Sequence, residues 1–250
     1  MKRAAAIRWL LIALLVALLE LACSLRWIDP TAIIPPSAML MGAMKIVLIG
    51  EWQRAIVETL TTVAIAVALS SAVGLLLGWA LTRAPRLRRA VDPLLASWYA
   101  IPTFVFYPLF IVLFGLGRWP LVAIGFLFAV VAMTLSTIQG IERVPRTLLR
   151  AAQAMRLTRT QTALRVVLPS AAPWLFAGLK LVVAYAFIGV VAGEFILANE
   201  GFGHRIAFAY NNFDNRAMYG AILLLLVFVA TLNASLAGWE KRLLRRRGLR

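Results

Sequence analysis

A polar side chain inside an apolar run is expensive in lipid, and where one is kept it usually faces a cavity or a partner. Thr103, Tyr107, Tyr185 and Glu194 are such groups. Their chemistry is hydrogen bonding within a cavity or pathway rather than bond making. Lys180 belongs with them, unless its stem simply carries the ammonium toward the cytoplasmic interface. Glu194 has a second reading, as a helix-end carboxylate near the outer surface, and Glu20 reads as a surface residue.

Catalytic chemistry has little to work with. The one histidine, His204, stands beside Arg205 in an expected external loop, with no second histidine to build a metal site or a triad. It reads as loop structure or a receptor contact. No Gly-x-x-x-x-Gly-Lys phosphate loop occurs, so no nucleotide site of that kind is expected in this chain. No catalytic residue, metal or cofactor is expected here. A membrane transferase or phosphatase would need clustered acids and histidines at one interface, and a channel stays open as a reading of the spans alone. The single cysteine, Cys23, permits no intramolecular disulfide.

These groups must be held by membrane helices. The 250 residues are 62% hydrophobic and 14% charged, with a mean hydropathy of +0.88, too apolar for an ordinary soluble domain. Six continuous apolar stretches reach the length of a bilayer-spanning helix, at about 9–28, 59–81, 94–114, 120–140, 174–197 and 218–238. Transmembrane barrel strands would alternate every second residue, and these do not. The expected fold is all-α, a polytopic membrane protein of six spans forming a single domain over 1–250.

The net charge of +16 is arranged by topology rather than for nucleic acid. Most basic residues fall in alternate connections: at Lys2, Arg3 and Arg8, at Arg83 to Arg89, between Arg143 and Arg165, and from Lys241 to Arg250. The positive-inside rule then puts both termini in the cytoplasm. Trp9, Trp27, Trp52, Trp79, Trp98, Trp119, Trp174 and Trp239 lie at or near span ends, where indole prefers the headgroup level. A lipoprotein cleavage site at Leu21-Ala22-Cys23-Ser24 is disfavoured by Glu20 and by the five spans that follow.

Asp29-Pro30 and Pro35-Pro36 break the chain into an external segment, 29–54, whose residues 38–50 are apolar but too short to cross and are expected to lie at the outer interface. A second external segment covers 198–217, with a composition suited to a gate, a docking surface or a solvated loop. Gly74 and Gly78 in span two, and Gly189 and Gly193 in span five, have small-xxx-small spacing, for packing within the chain or against a second copy. Pro102 and Pro108 interrupt span three.

The longest cytoplasmic connection, 143–169, is expected to hold two short helices. Pro145 suits a helix start, and Leu148, Ala152 and Met155 recur at i, i+4 and i+7. Thr158 and Gln161 have capping-box spacing for a second helix, which Pro169 and Pro173 would end before span five opens. Any polytopic protein could carry such a basic amphipathic loop against anionic lipid.

In this segment the chain resembles the permeases of ATP-binding-cassette importers. Their signature runs Glu-Ala-Ala, three residues, Gly, nine residues, Ile, one residue, Leu-Pro. Ala151-Ala152, Val166 and Leu168-Pro169 are in register with it, while Arg150 and Arg156 stand where the family has glutamate and glycine. Further likeness runs from Pro35-Pro36-Ser37 through Phe114-Gly115-Leu116-Gly117 to Gly193-Glu194-Phe195 and Gly201-Phe202-Gly203. The nearest subgroup imports nitrate, sulfonates, taurine and related compounds. The resemblance implies a type I importer fold with a cytoplasmic coupling helix, and ATPase docking through Leu148, Arg150, Ala151, Ala152, Met155, Arg156, Leu157, Leu168 and Pro169. It also implies two ATPase subunits that carry ATP and magnesium, a second permease copy and an external solute-binding protein, in a bacterial inner membrane. Its expected cargo is a small anion, with a thiamine-precursor pyrimidine as the alternative.

Overall fold

The computed structural model describes residues 2–29 and 32–246, with the side chains of 2–5, 8, 9 and 243–246 left aside. The expectations placed on Pro30, on Arg247 and Arg250, and on the side chains of Lys2, Arg3, Arg8, Trp9, Arg245 and Arg246 therefore lie outside the described residues. Every regular element among the described residues is helical: α1 (Lys2–Ser24), α2 (Pro36–Leu48), α3 (Gly50–Arg83), α4 (Pro85–Ser97), α5 (Tyr107–Phe114), α6 (Arg118–Glu142), α7 (Arg146–Ala154), α8 (Arg159–Thr162), α9 (Leu168–Leu197), α10 (Phe202–Asn211) and α11 (Asn215–Arg246). Short 3-10 turns cover Trp98–Ala100 and Thr103–Phe106, and a π turn covers Ala163–Val167.

Among the described residues, four helices are long and apolar enough to cross a bilayer, and a bent pair makes a fifth. They match the expected spans two, four, five and six. The bent pair is span three: Pro85–Ala100 and Thr103–Phe114 meet at 93°. The break falls at Ile101-Pro102, because a residue before proline is driven out of helical geometry. Pro108 does no further damage, since it sits in the first turn of α5, where its missing N–H has no partner to lose. The first expected span falls on α1, a helix of 23 residues, whose described stretch Leu10–Ser24 is apolar.

Chain contacts divide the molecule into two compact units, Met1–Glu58 with Phe195–Ala230, and Thr59–Glu194 with Thr231–Arg250. The first is built around Ile46, Trp52, Phe202, Ile206, Ala209, Met218 and Ala221, with the Trp52 and Phe202 rings edge to face at 5.6 Å. Helix α2 does more here than rest on an interface. Its Gly42 and Ala43 face are pressed onto the start of α11, where a Cβ added to Gly42 would lie 2.5 Å from the Arg216 carbonyl oxygen. The Glu20 carboxylate accepts from the Ser37 N–H at 2.9 Å and from its hydroxyl at 2.6 Å, tying α1 to the start of α2.

In the second unit α6 is the central helix, buried along most of its length. Both small-residue pairs pack against it. A Cβ on Gly74 would meet the Met133 Cβ at 2.5 Å, one on Gly78 the Thr137 Cβ at 2.6 Å, and one on Gly189 the Gly125 Cα at 2.9 Å. The spacing thus serves packing within the chain. Polar contacts tie the helices to one another. Arg88 forks onto Glu142, Arg143 lies 3.9 Å over the Trp174 ring, and Lys180 donates to Glu240 at 2.5 Å. Lys180 is therefore neither a lone snorkelling ammonium nor a lone path residue.

Candidate functional site

The segment 143–169 folds as the spacing predicts at its first two turning points. Pro145 stands at the N-cap of α7, its extended backbone leading into the helix. The helix ends in a complete Schellman motif: the Leu157 N–H donates to the Ala152 carbonyl at 3.0 Å and the Arg156 N–H to the Gln153 carbonyl at 2.9 Å. That closure requires a left-handed residue, and Arg156 supplies it at φ 52°. The family's glycine site is thus occupied by an arginine in the conformation glycine takes without strain. Arg156→Gly should raise the thermal midpoint of the purified chain by about 2 °C, a gain of roughly 0.5–1 kcal/mol reduced by glycine's freedom in the unfolded chain. An unchanged or lower midpoint would mean that the arginine side chain contributes as much as the strain costs.

The second turning point is the capping box. The Gln161 N–H donates to Thr158 Oγ1 at 3.3 Å and the Thr158 N–H to Gln161 Oε1 at 2.9 Å, which starts α8. The third expectation is corrected: Pro169 and Pro173 do not end this helix. It runs on from Arg159 to Leu197 without a break. The Leu168 N–H reaches back five residues to the Ala163 carbonyl, and this wider π register absorbs the turn that leads into Pro169.

Side-chain burial sorts the docking candidates. Ala152 is 2% exposed and seats α7 on the chain, whereas Leu148 at 43% and Met155 at 72% stand out from it. Arg150, Ala151 and Arg156 are exposed, Leu157 and Pro169 half-buried, and Leu168 exposed. Two large apolar side chains exposed among arginines form a small anchor surface with a basic rim.

The path candidates all belong to the second unit. Glu194 is 1% exposed, and the Thr59 hydroxyl lies 2.8 Å from each of its carboxylate oxygens. Glu194 does stand near the end of α9, but it is buried there rather than exposed. Thr103, also buried, sits just after the break in span three, with a hydroxyl oxygen that has no hydrogen-bond partner among the described residues. Tyr107 is buried at the start of α5. Tyr185 lies 5.0 Å, ring to ring, from Tyr99.

Sequence reading passed over Thr59, since a threonine inside an apolar span carries no mark of its partner. The composition of 198–217 predicts a loop, whereas His204 lies in α10. Phe202, Ile206 and Ala209 are the buried stripe of that helix, and their i, i+4, i+7 spacing was the available signal, masked by the glycines and asparagines around it. His204 lines a polar pocket of 320 Å³ with Glu51, Arg54, Glu58, Glu200 and Arg205, and Arg205 pairs with Glu51 at 2.8 Å.

Comparison with known proteins decides the family. Residues 70–248 match the model of the binding-protein-dependent transport system inner membrane component. The chain belongs to this family. Among relatives of this permease, the formylaminopyrimidine transport permease ThiX of Halalkalibacterium halodurans is 32% identical over 67% of each chain. The nitrate import permease NrtB of Synechococcus elongatus is 27% identical over 75% of this chain and 68% of its own. The taurine transport permease TauC of Escherichia coli is 24% identical over 93% of this chain and 86% of its own. In fold the permease is similar to a chain of the inward-facing MetNI methionine transporter, with a TM-score of 0.66 at 21% identity over 76% of this chain and 94% of that one. It is an all-helical, multi-pass inner-membrane permease component of an ATP-binding-cassette importer.

Proposed function

We propose that this permease carries a small anion of the nitrate, sulfonate or taurine class into the cytoplasm, driven by an ATPase docked on residues 143–169. The observation that carries the docking is the pair α7 and α8, joined through left-handed Arg156 and capped by Thr158, with Leu148 and Met155 turned outward. An isolated amphipathic helix of this length is marginal in water, so an exposed apolar pair on it calls for a protein groove.

In this reading Leu148, Arg150, Met155 and Arg156 meet the ATPase, Ala151 and Leu157 flank them, and Ala152, Leu168 and Pro169 hold the docking segment in shape. ATP and magnesium sit on two ATPase subunits. Two copies of the permease, each a single domain of six spans with cytoplasmic termini, alternate between inward-open and outward-open forms as the docked segments are drawn together. The external segments 29–54 and 198–217 receive a solute-binding protein, and the charged pocket around His204 suits a polar partner. Thr103, Tyr107 and Tyr185 line the path, and Glu194 shapes its wall.

The nitrate and taurine relatives support the anion. The formylaminopyrimidine permease supports a second reading, a thiamine-precursor pyrimidine. Thermal unfolding of the partner binding protein separates the two, since a ligand at a hundred times its Kd adds about 2.7 kcal/mol of stability. Stabilisation by nitrate, taurine or alkylsulfonates is expected. Stabilisation by the pyrimidine alone selects the second reading, and by cations or peptides alone removes both.

A further inference from the structure

The second unit contains a cleft of 490 Å³ between α3, α6 and the stretch from α8 into α9. Leu76 and Trp79 form one wall and Leu164, Leu168 and Leu175 the other. Leu76, Trp79, Leu164 and Leu168 are exposed. Arg83, the last residue of α3, and Arg159, the first of α8, bring two guanidinium groups to its lining, and no carboxylate is among the lining residues. Arg83 is held 4.2 Å over the Trp79 ring, which fixes its charge beside the apolar wall.

Leucine walls with paired cations match one kind of molecule, an amphiphile with a negative head. A polar solute would leave the walls bare, and a purely apolar one would leave two cations without a counter-ion. Arginine beside an interfacial tryptophan is also the arrangement that meets lipid headgroups at a membrane face. We propose that this cleft is a binding site for an anionic phospholipid, with an acyl chain along the leucines and the phosphate between Arg83 and Arg159. Because the π turn at Ala163–Val167 forms part of the wall, the bound lipid braces the segment through which α8 enters the membrane.

The full-length chain in neutral detergent, titrated with phosphatidylglycerol or phosphatidylcholine and followed by native mass spectrometry, tests this. Phosphatidylglycerol should bind at least tenfold more tightly. The R83Q/R159Q pair should weaken it roughly thirtyfold, from two surface charges near a headgroup, and leave phosphatidylcholine unchanged. R83K/R159K should keep most of the preference, and K241Q/R242Q, outside the cleft, all of it. Equal affinity for the two lipids, or phosphatidylglycerol binding that survives R83Q/R159Q, overturns the proposal. So does efficient disulfide bonding between two copies of an L76C chain in a C23S background in phosphatidylglycerol bilayers, which would assign the cleft to a second copy.

Discussion

Replacing Leu148 and Met155 together with aspartate separates the permease from its ATPase. Both side chains stand out from α7, at 43% and 72% exposure, and each is an apolar anchor of the kind worth about 2 kcal/mol in a protein groove. Losing both costs about 4 kcal/mol, close to three decades in affinity. The variant should still reach the membrane with a wild-type thermal midpoint, because neither residue is in the packed interior. Co-purification of the ATPase and ATP-dependent uptake in proteoliposomes are the readouts. Normal co-purification of the double variant would move the docking surface away from α7. Ala152→Asp makes a useful contrast: that residue is buried, so its damage should appear first as instability of the permease alone.

Glu194→Ala comes next in size, and its effect begins inside the chain. With Glu194 1% exposed and the Thr59 hydroxyl 2.8 Å from both of its oxygens, truncation removes a buried side-chain hydrogen bond and leaves a cavity. About 2–3 kcal/mol should be lost, which lowers the thermal midpoint by roughly 5–10 °C in a chain of this size. Glu194→Gln keeps a carbonyl oxygen for Thr59 and should lose less than half as much. Thr59→Val, which removes the donor from the other side, should also be destabilised and should not add fully to Glu194→Ala. A wild-type midpoint for Glu194→Ala would mean that water reaches the carboxylate.

What could be read from sequence follows the range of the forces involved. Hydropathy acts along the chain, so the long spans were visible from composition in their own windows. Local closure was visible at Thr158, since its capping box depends only on neighbours a few residues away, whereas the left-handed turn at Arg156 had no local mark beyond the glycine that the family carries there. Proline was legible only in part. At Pro102 the break was forced by the residue before it, but at Pro169 a π turn upstream let the helix continue, a register change that no single residue announces. The pairings least visible were those between distant segments. Thr59 finds Glu194 and Gly42 finds α11 only after the helices have been brought side by side. Helix α10 hid for a different reason: its apolar stripe is short, and its turn-forming residues outweigh it in composition.

The continuity of the helix past Pro169 has a mechanical consequence. Its 39 residues, Arg159 to Leu197, amount at 1.5 Å per residue to a rod of roughly 58 Å, nearly twice the thickness of a hydrocarbon core. Arg159 stands at one extremity and Glu194 close to the other. A lever of that kind needs no relay of side-chain rearrangements to carry a displacement along its length, because tilting one end moves the other at once. Stiffness, rather than any single contact, then sets how faithfully the two ends move together, and the π turn is where such a rod would flex first.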